Sequence, residues 1–199
     1  MDPQSLTDDE IVAAVLDGRR RDFEILIRRY SVKIIHFITR MTRDRDEAQS
    51  IAQEVFLKIY QNLPYYRKEN NFSAFIFKIA KNMTLNWLKR EQRTVFFSRL
   101  LGREFNQTPF RQEPPRSAFL DPGDREAEIT RNLLLLSEEQ RLALVLKVYL
   151  EFSYKQIREI TGWSIPKIET LISRAKGRLK KNIALQDQGR EFVSPARKK

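Results

Sequence analysis

Residues 72–93 read FSAFIFKIAKNMTLNWLKREQR. On a 3.6-residue period, Ile76, Ile79, Ala80, Met83 and Trp87 fall on one side. Lys78, Asn82, Asn86, Lys89 and Arg93 fall opposite, with Phe75 and Leu85 among them. Ser73 has the place of an N-cap, and Phe72 and Phe77 have the spacing of a hydrophobic staple. A cationic, amide-bearing face with embedded apolar side chains suits a nucleic-acid backbone and unstacked bases. An ordinary surface helix with solvating lysines would share that pattern. The pattern gains weight because a second face of the same kind recurs about ninety residues later.

That second face belongs to the last helix. Ile168, Ile172, Ala175, Leu179 and Ile183 form one stripe, and Lys167, Thr170, Arg174, Arg178 and Lys181 the opposite one, with Ser173 beside them. Upstream, Ser153 and Gln156 make a capping box for a short helix that stops at Thr161-Gly162, and Ser164 caps the long helix with Pro166 in its first turn. Short helix, tight glycine turn and long helix are the helix-turn-helix plan, whose second helix enters the major groove. Before it, Ser137 and Gln140 form another capping box, opening a helix with Leu142, Val145, Leu146 and Tyr149 inside.

Three helices precede residue 72. Thr7 and Glu10 box the first, with Ile11, Val12, Val15 and Leu16 apolar and Gly18 as its stop. The second, from about Asp22 to Met41, carries Phe23, Leu26, Ile27, Tyr30, Ile34, Phe37 and Met41 on its buried stripe. The third, Glu47 to Leu63, buries Ala48, Ile51, Ala52, Val55, Ile59 and Leu63, while Ser50, Glu54, Leu57, Lys58 and Gln61 face outward. Leu57 is an apolar residue in a polar field, a position that suits a protein contact. Between Thr94 and Arg125 prolines and glycines break the period, so this stretch reads as an interdomain linker studded with phenylalanines.

The expected fold is therefore all-α: two helical domains, 1–93 and 126–185, each seated in its own bundle and joined by an extended linker, 94–125, with a basic tail, 186–199. The chain of 199 residues carries 37 Lys and Arg against 26 Asp and Glu, a net charge of +11. The excess is shared, 17 basic against 13 acidic side chains in residues 1–93 and 11 against 7 in 126–185, so both halves favour a polyanionic partner. Absence of cysteine excludes disulfides and thiolate metal sites and fits a reducing cytoplasm. No 18-residue apolar run occurs, and the first residues, MDPQSLTDDE, are acidic rather than signal-like. A soluble, intracellular protein without a cofactor is expected. The lone histidine, His36, sits in an apolar helical stretch and reads as structural. Asp44, Asp46 and Glu47 could ligate Mg²⁺, but the interleaved Arg43 and Arg45 favour a solvated charged turn.

In order and spacing, these blocks resemble the extracytoplasmic-function (ECF) sigma factors, group IV of the sigma-70 family of bacterial RNA polymerase. TDDEIVAAVLDGRRRDFEILIRRY looks like that family's first helical pair, and EAQSIAQEVFLKIYQNL like the most recognisable segment of its first domain. FSAFIFKIAKNMTLNWLKREQR resembles the promoter-melting segment, and LSEEQRLALVLKVYLEFSYKQIREITGW with ISRAKGRL the helix-turn-helix. The resemblance implies a non-enzymatic initiation factor with sigma region 2 at 1–93 and region 4 at 126–185. It implies that Gln53, Glu54, Leu57 and Lys58 dock on the coiled coil of the polymerase β′ subunit, with the β flap as a further contact. The loop Arg67–Asn71, including Lys68 and Asn70, would hold with Asn82 a base flipped from the −10 element. Lys78, Lys81, Asn86, Lys89 and Arg90 would lie along that strand, the cations near phosphates. Arg141, Tyr154, Lys167, Thr170, Ser173, Arg174 and Arg178 would contact the −35 element as duplex. The linker would thread into the polymerase near the nascent RNA, and an anti-sigma factor is implied as a partner.

Five positions depart from the family pattern. Gln49-Ser50 replaces the usual acidic pair, Asn86 stands where Asp is frequent, and Glu169 and Leu171 occupy places often basic. Leu171 suggests an altered base preference. Two other readings compete. A stand-alone helix-turn-helix regulator would bind palindromic duplex without polymerase, yet would not need the basic, amide-rich helix at 72–93. An enzyme would need nucleophile–base constellations, which one histidine and no cysteine make scarce.

Overall fold

The computed structural model describes residues 6–42, 44–67, 71–100 and 132–191, with side chains at Val95, 97–100 and 183–191 left aside. All regular structure among them is helical. In the first domain these are α1 (Asp8–Leu16), α2 (Phe23–Thr42), α3 (Arg45–Asn62) and α4 (Phe72–Leu100), with single 3₁₀ turns at Arg20–Asp22 and Leu63–Tyr65. The second holds α5 (Glu138–Leu144), running on as a π turn through Val145–Tyr149, then α6 (Tyr154–Thr161) and α7 (Ile165–Glu191). No described helix is long and apolar enough to cross a membrane.

Short polar side chains start the helices. The three expected capping boxes form at Thr7–Glu10, Ser137–Gln140 and Ser153–Gln156, each pairing two backbone amides that the first turn would otherwise leave unbonded. Asp44 caps α3 by accepting from the amides of Asp46 and Glu47, so its carboxylate serves the helix end. Gly162 takes φ +76° at the end of α6, a left-handed conformation that lets the chain reverse into α7. Ser164 Oγ accepts from Lys167 N at 3.4 Å to begin α7.

α2 and α3 pack along one another, and α4 lies across both. α1 is tied to this bundle by polar contacts. Arg29 pairs with Asp8 at 2.8 Å and donates to the Leu6 carbonyl at 2.6 Å, and Tyr30 Oη also donates to Asp8. Tyr66 Oη donates to Asp9 Oδ1 at 2.6 Å, binding the segment before α4 to the same helix. Burial, then the bond to a carboxylate, raises the phenol pKa of Tyr30 and of Tyr66 far above the usual value.

Several expectations need correction. Asn71, not Ser73, begins α4: its Oδ1 accepts from Ala74 N at 3.3 Å and from the Ser73 hydroxyl. Phe72 is thus the first helical residue and packs edge-on against Tyr30 and Tyr66, so the staple geometry does not arise. α4 continues to Leu100, past the break expected at Thr94. Its deepest stripe is Ile76, Phe77, Ala80, Thr84 and Leu88, with Ile79, Met83 and Trp87 only half-buried. Thr84 can lie on that stripe because it returns its hydroxyl to the Ala80 carbonyl and so hides as well as an apolar residue. In α1 it is Ala14 that is buried, while Leu16 lies 50% exposed.

The largest departure concerns the two bundles, which are not independent. α6 packs on α4, and Phe37, Phe77 and Phe152 form an edge-to-face series across the join, with centroids 5.7 and 5.1 Å apart. Phe77 of the first domain and Phe152 of the second are both buried, and one apolar cluster runs through both domains. Residues 101–131, most of the expected linker, lie outside the described residues, as does most of the tail.

Candidate nucleic-acid and partner interface

Each of three helices keeps one face bare. On α3 the buried series Ala48, Ile51, Ala52, Val55, Phe56 and Ile59 seats the helix, leaving Gln53, Glu54, Leu57 and Lys58 exposed opposite it. Leu57 is 60% exposed. Gln49 and Ser50 extend the same exposed strip, a turn closer to the helix start.

On α4 Lys78, Asn82, Asn86, Lys89 and Arg90 are all exposed. Lys81 is half-buried, and burial, then the neighbouring Lys78 charge, lowers its ammonium pKa. Arg67 and Asn71 are exposed beside the helix start, though the Asn71 side-chain oxygen is engaged as the cap. Lys68 and Asn70 lie outside the described residues. Next to this loop the aromatic side chain of Tyr65 stands 78% exposed. The backbone around it is fixed: Tyr66, one residue on, packs against Phe72 and Phe75 and bonds Asp9.

In the second domain Ile168, Leu171, Ile172 and Ala175 anchor α7. Lys167, Thr170, Ser173, Arg174 and Arg178 are exposed. Thr170 bonds back to the Pro166 carbonyl at 2.8 Å, which fixes its hydroxyl. Lys167 is held in place: its ammonium pairs with Glu139 of α5 at 2.8 Å and lies 4.8 Å from the centre of the Trp163 ring. Glu139 gave no sequence signal, since a contact across 28 residues has no local period. Tyr154 is half-buried, with Lys147 Nζ 4.9 Å from its ring centre. Two positions, the departure at Leu171 and the expected contact Arg141, read differently. Leu171, 8% exposed, is an anchor and faces the core rather than outward. Arg141 turns inward: Nε donates to the Leu133 carbonyl at 3.1 Å, one terminal nitrogen to Leu136 at 3.3 Å, and the other to Met41 of the first domain at 2.9 Å.

His36, expected to be structural, is exposed. With Lys33, Phe37, Arg40, Val145, Tyr149 and Leu150 it lines a cleft of ≈ 100 Å³ between the domains. Arg40 spans the cleft, its guanidinium carbon 4.3 Å from the centre of the Tyr149 ring.

Family comparisons give both halves the same assignment. The profile described as Sigma-70 region 2 matches residues 26–94, and that described as Sigma-70, region 4 matches residues 126–179. The chain is 30% identical to the RNA polymerase sigma-H factor of Pseudomonas aeruginosa over 92% of its own length and 96% of that protein. It is 29% identical to the RNA polymerase sigma factor YlaC of Bacillus subtilis, over 82% of this chain and 93% of the other. To the ECF RNA polymerase sigma-E factor of Escherichia coli K12 the figures are 26%, 87% and 92%. Among solved structures it is similar in fold to CnrH, determined with the cytosolic domain of CnrY, with a TM-score of 0.68 and 20% identity over 89% of this chain and 97% of that one. RpoE of Bartonella quintana, determined with the anti-sigma factor NepR, gives 0.66 and 23% over 82% and 98%.

Proposed function

The chain belongs to the ECF sigma factors of the sigma-70 family, and from that premise we propose a role for each of its three bare faces in transcription initiation. As a sigma factor it is a non-enzymatic initiation factor that acts with RNA polymerase. Within that role, the exposed strip of α3 around Leu57 docks on the β′ coiled coil of core polymerase. α4 and the loop at Arg67–Asn71 take the −10 element as single strand, Asn82 meeting a flipped base and Lys78, Lys89 and Arg90 meeting phosphates. α7 reads the −35 element as duplex through Thr170, Ser173 and Arg174, with Lys167 and Arg178 alongside. Residues 1–93 act as the −10 module and 126–185 as the −35 module, joined by 94–125.

One observation carries this reading. Two separate helices each present an exposed row of cations and amides or hydroxyls, backed by a buried apolar stripe. One such row suits a groove, and two suit two DNA elements. Extruding a base costs a few kcal/mol, and stacking on an aromatic or apolar wall returns about 1–3 kcal/mol per base, so capture of the open strand can drive melting without nucleotide hydrolysis. Phosphate contacts set the register while base contacts select the promoter.

The proposal extends to an anti-sigma partner, of which NepR on the Bartonella quintana relative is an instance, and to a cytoplasmic location. Reconstitution with purified core polymerase tests it. Promoter-directed transcripts that core alone does not make are the expected result. A chain that neither binds core nor redirects initiation overturns the reading, and tight palindromic duplex binding without core would favour a stand-alone regulator.

A further inference from the structure

Helix α1 carries none of the three bare faces, yet it grips the entry to one of them. Asp8 and Asp9 open α1, where unbonded amides and the positive end of the helix dipole favour carboxylates. Each takes a tyrosine hydroxyl from elsewhere in the bundle. Asp8 accepts from Tyr30 and pairs with Arg29, both on α2. Asp9 Oδ1 accepts from Tyr66 Oη at 2.6 Å, across 57 residues of chain. Because the acceptor is ionised, such a bond is roughly twice as strong as one between neutral groups.

Tyr66 stands where the segment Arg67–Asn71 begins. Its ring meets Phe72 and Phe75, with centroids 5.1 and 5.3 Å apart, and Phe72 is the first residue of α4. The two residues flanking 67–71 are therefore in contact, and the five between them leave and return at one point. Phe72 is braced in turn by Tyr30, edge-on at 6.0 Å. Ring packing alone tolerates sliding and rotation, whereas a hydroxyl bonded to a fixed carboxylate does not. The Asp9 bond is thus a polar pin in an otherwise apolar hinge.

We propose that Asp9 is a positioning residue for the −10 strand: through Tyr66 it pins the start of the segment 67–71 against α4, so that Arg67 and Asn82 meet the strand together. Asp9 itself meets no nucleotide. Its effect is to order the segment before the strand arrives, which removes an ordering cost from binding. α1 stays seated without this bond, since Ile11, Val12, Ala14 and Val15 are buried, Thr7 and Glu10 box its first turn, and Asp8 holds Arg29. The inference rests on the assignment of α4 and residues 67–71 to the −10 strand, and its test separates the two.

The probe is a dye-labelled single-stranded oligodeoxynucleotide with the non-template −10 bases of a promoter at which the parent initiates. It is titrated with holoenzyme assembled from the full chain and core polymerase. Asp9→Asn and Tyr66→Phe should each weaken strand binding on the order of tenfold, through lost preorganisation. The double variant should be no weaker than either single one, because both remove the same bond. The sign is diagnostic: Asp9→Asn takes a negative charge away from the site of a polyanion, so electrostatics alone would tighten binding. Thr7→Ala removes the cap of the same helix without touching Tyr66, so it should lower the melting temperature and keep parental strand affinity. Core affinity should be parental in every variant. Parental or tighter strand binding by Asp9→Asn or by Tyr66→Phe overturns the inference. An additive loss in the double variant, or an equal loss in Thr7→Ala, does so too. If the parent holoenzyme initiates nowhere, or holds the strand no better than core alone, the −10 assignment itself fails and the inference falls with it.

Discussion

Substitution of Leu57 offers a sharp separation of function from folding. The side chain is 60% exposed on α3, between exposed Gln53, Glu54 and Lys58, and supports nothing in the core. Full burial of a leucine contributes about 1.5–3 kcal/mol, so covering its exposed three-fifths with the polymerase is worth about 1–2 kcal/mol. Leu57→Ala should therefore weaken core binding about 5- to 30-fold. Leu57→Asp should weaken it further, since docking would then desolvate an unpaired carboxylate. Stability should stay within about 0.5 kcal/mol of the parent, as for surface sites generally, with alanine if anything the better helix former. Val32, also 60% exposed but on α2 and in none of the proposed faces, supplies the control: Val32→Ala should leave affinity unchanged. The assay is titration of a fluorescently labelled chain with purified core polymerase, paired with denaturant melts. Parent-like core affinity in both Leu57 variants would refute the docking assignment.

Other expectations bear on the fold that carries these faces. Tyr30 has a folded pKa raised by burial and by its bond to Asp8. Its stabilising contribution is complete below the unfolded value, about pH 10, and is lost as pH climbs from there toward the folded value, by up to about 1.4 kcal/mol per unit. Tyr66 is raised in the same way and shares the fall, so denaturant melts between neutral and strongly alkaline pH should show it and Tyr30→Phe should lessen it; an unchanged slope would remove Tyr30 as a source. Ser153→Ala removes the cap of α6 and should cost about 1 kcal/mol, with Ser153→Asp largely recovering it; equal stability of both variants and the parent would deny the cap its role. Gly162 has open space where a Cβ would sit but a φ of +76°, so Gly162→Ala should cost about 1–2 kcal/mol from backbone strain alone, read as a lowered melting temperature.

Local chemistry was the most legible part of the chain. The three capping boxes, the Gly162 turn, the buried stripe of α3 and that of α2, save for Ile27, which is only half-buried, follow from side chains acting within one turn of helix and are present in the structure. The outward faces were legible for the same reason, since a helix that buries one stripe must expose the other. Errors arose where burial is decided by a partner distant in the chain. Leu171 has the register of a flank residue and is buried in a domain where α5 and α6 both pack on α7. Phe77 and Thr84 are buried where α4 meets its neighbours, so the true stripe is rotated from the one its own period suggests. Arg141 reads as one more exposed cation until the Met41 carbonyl, a hundred residues away, takes one of its donors. Ser73 lost the cap to Asn71 through a two-residue shift, the ordinary uncertainty of a helix start.

The measurement nearest the centre of the account crosses two variants with two sets of promoter bases. Abortive initiation by core polymerase with Arg174→Ala or Asn82→Ala is read on promoters carrying single-base changes in the −35 or the −10 element. Arg174→Ala should lose about 1–3 kcal/mol of discrimination at one −35 position and keep its −10 preference. Asn82→Ala should do the reverse, by a similar amount. Equal weakening of every promoter by both variants, or loss of both preferences by either one, would contradict the assignment of two helices to two elements.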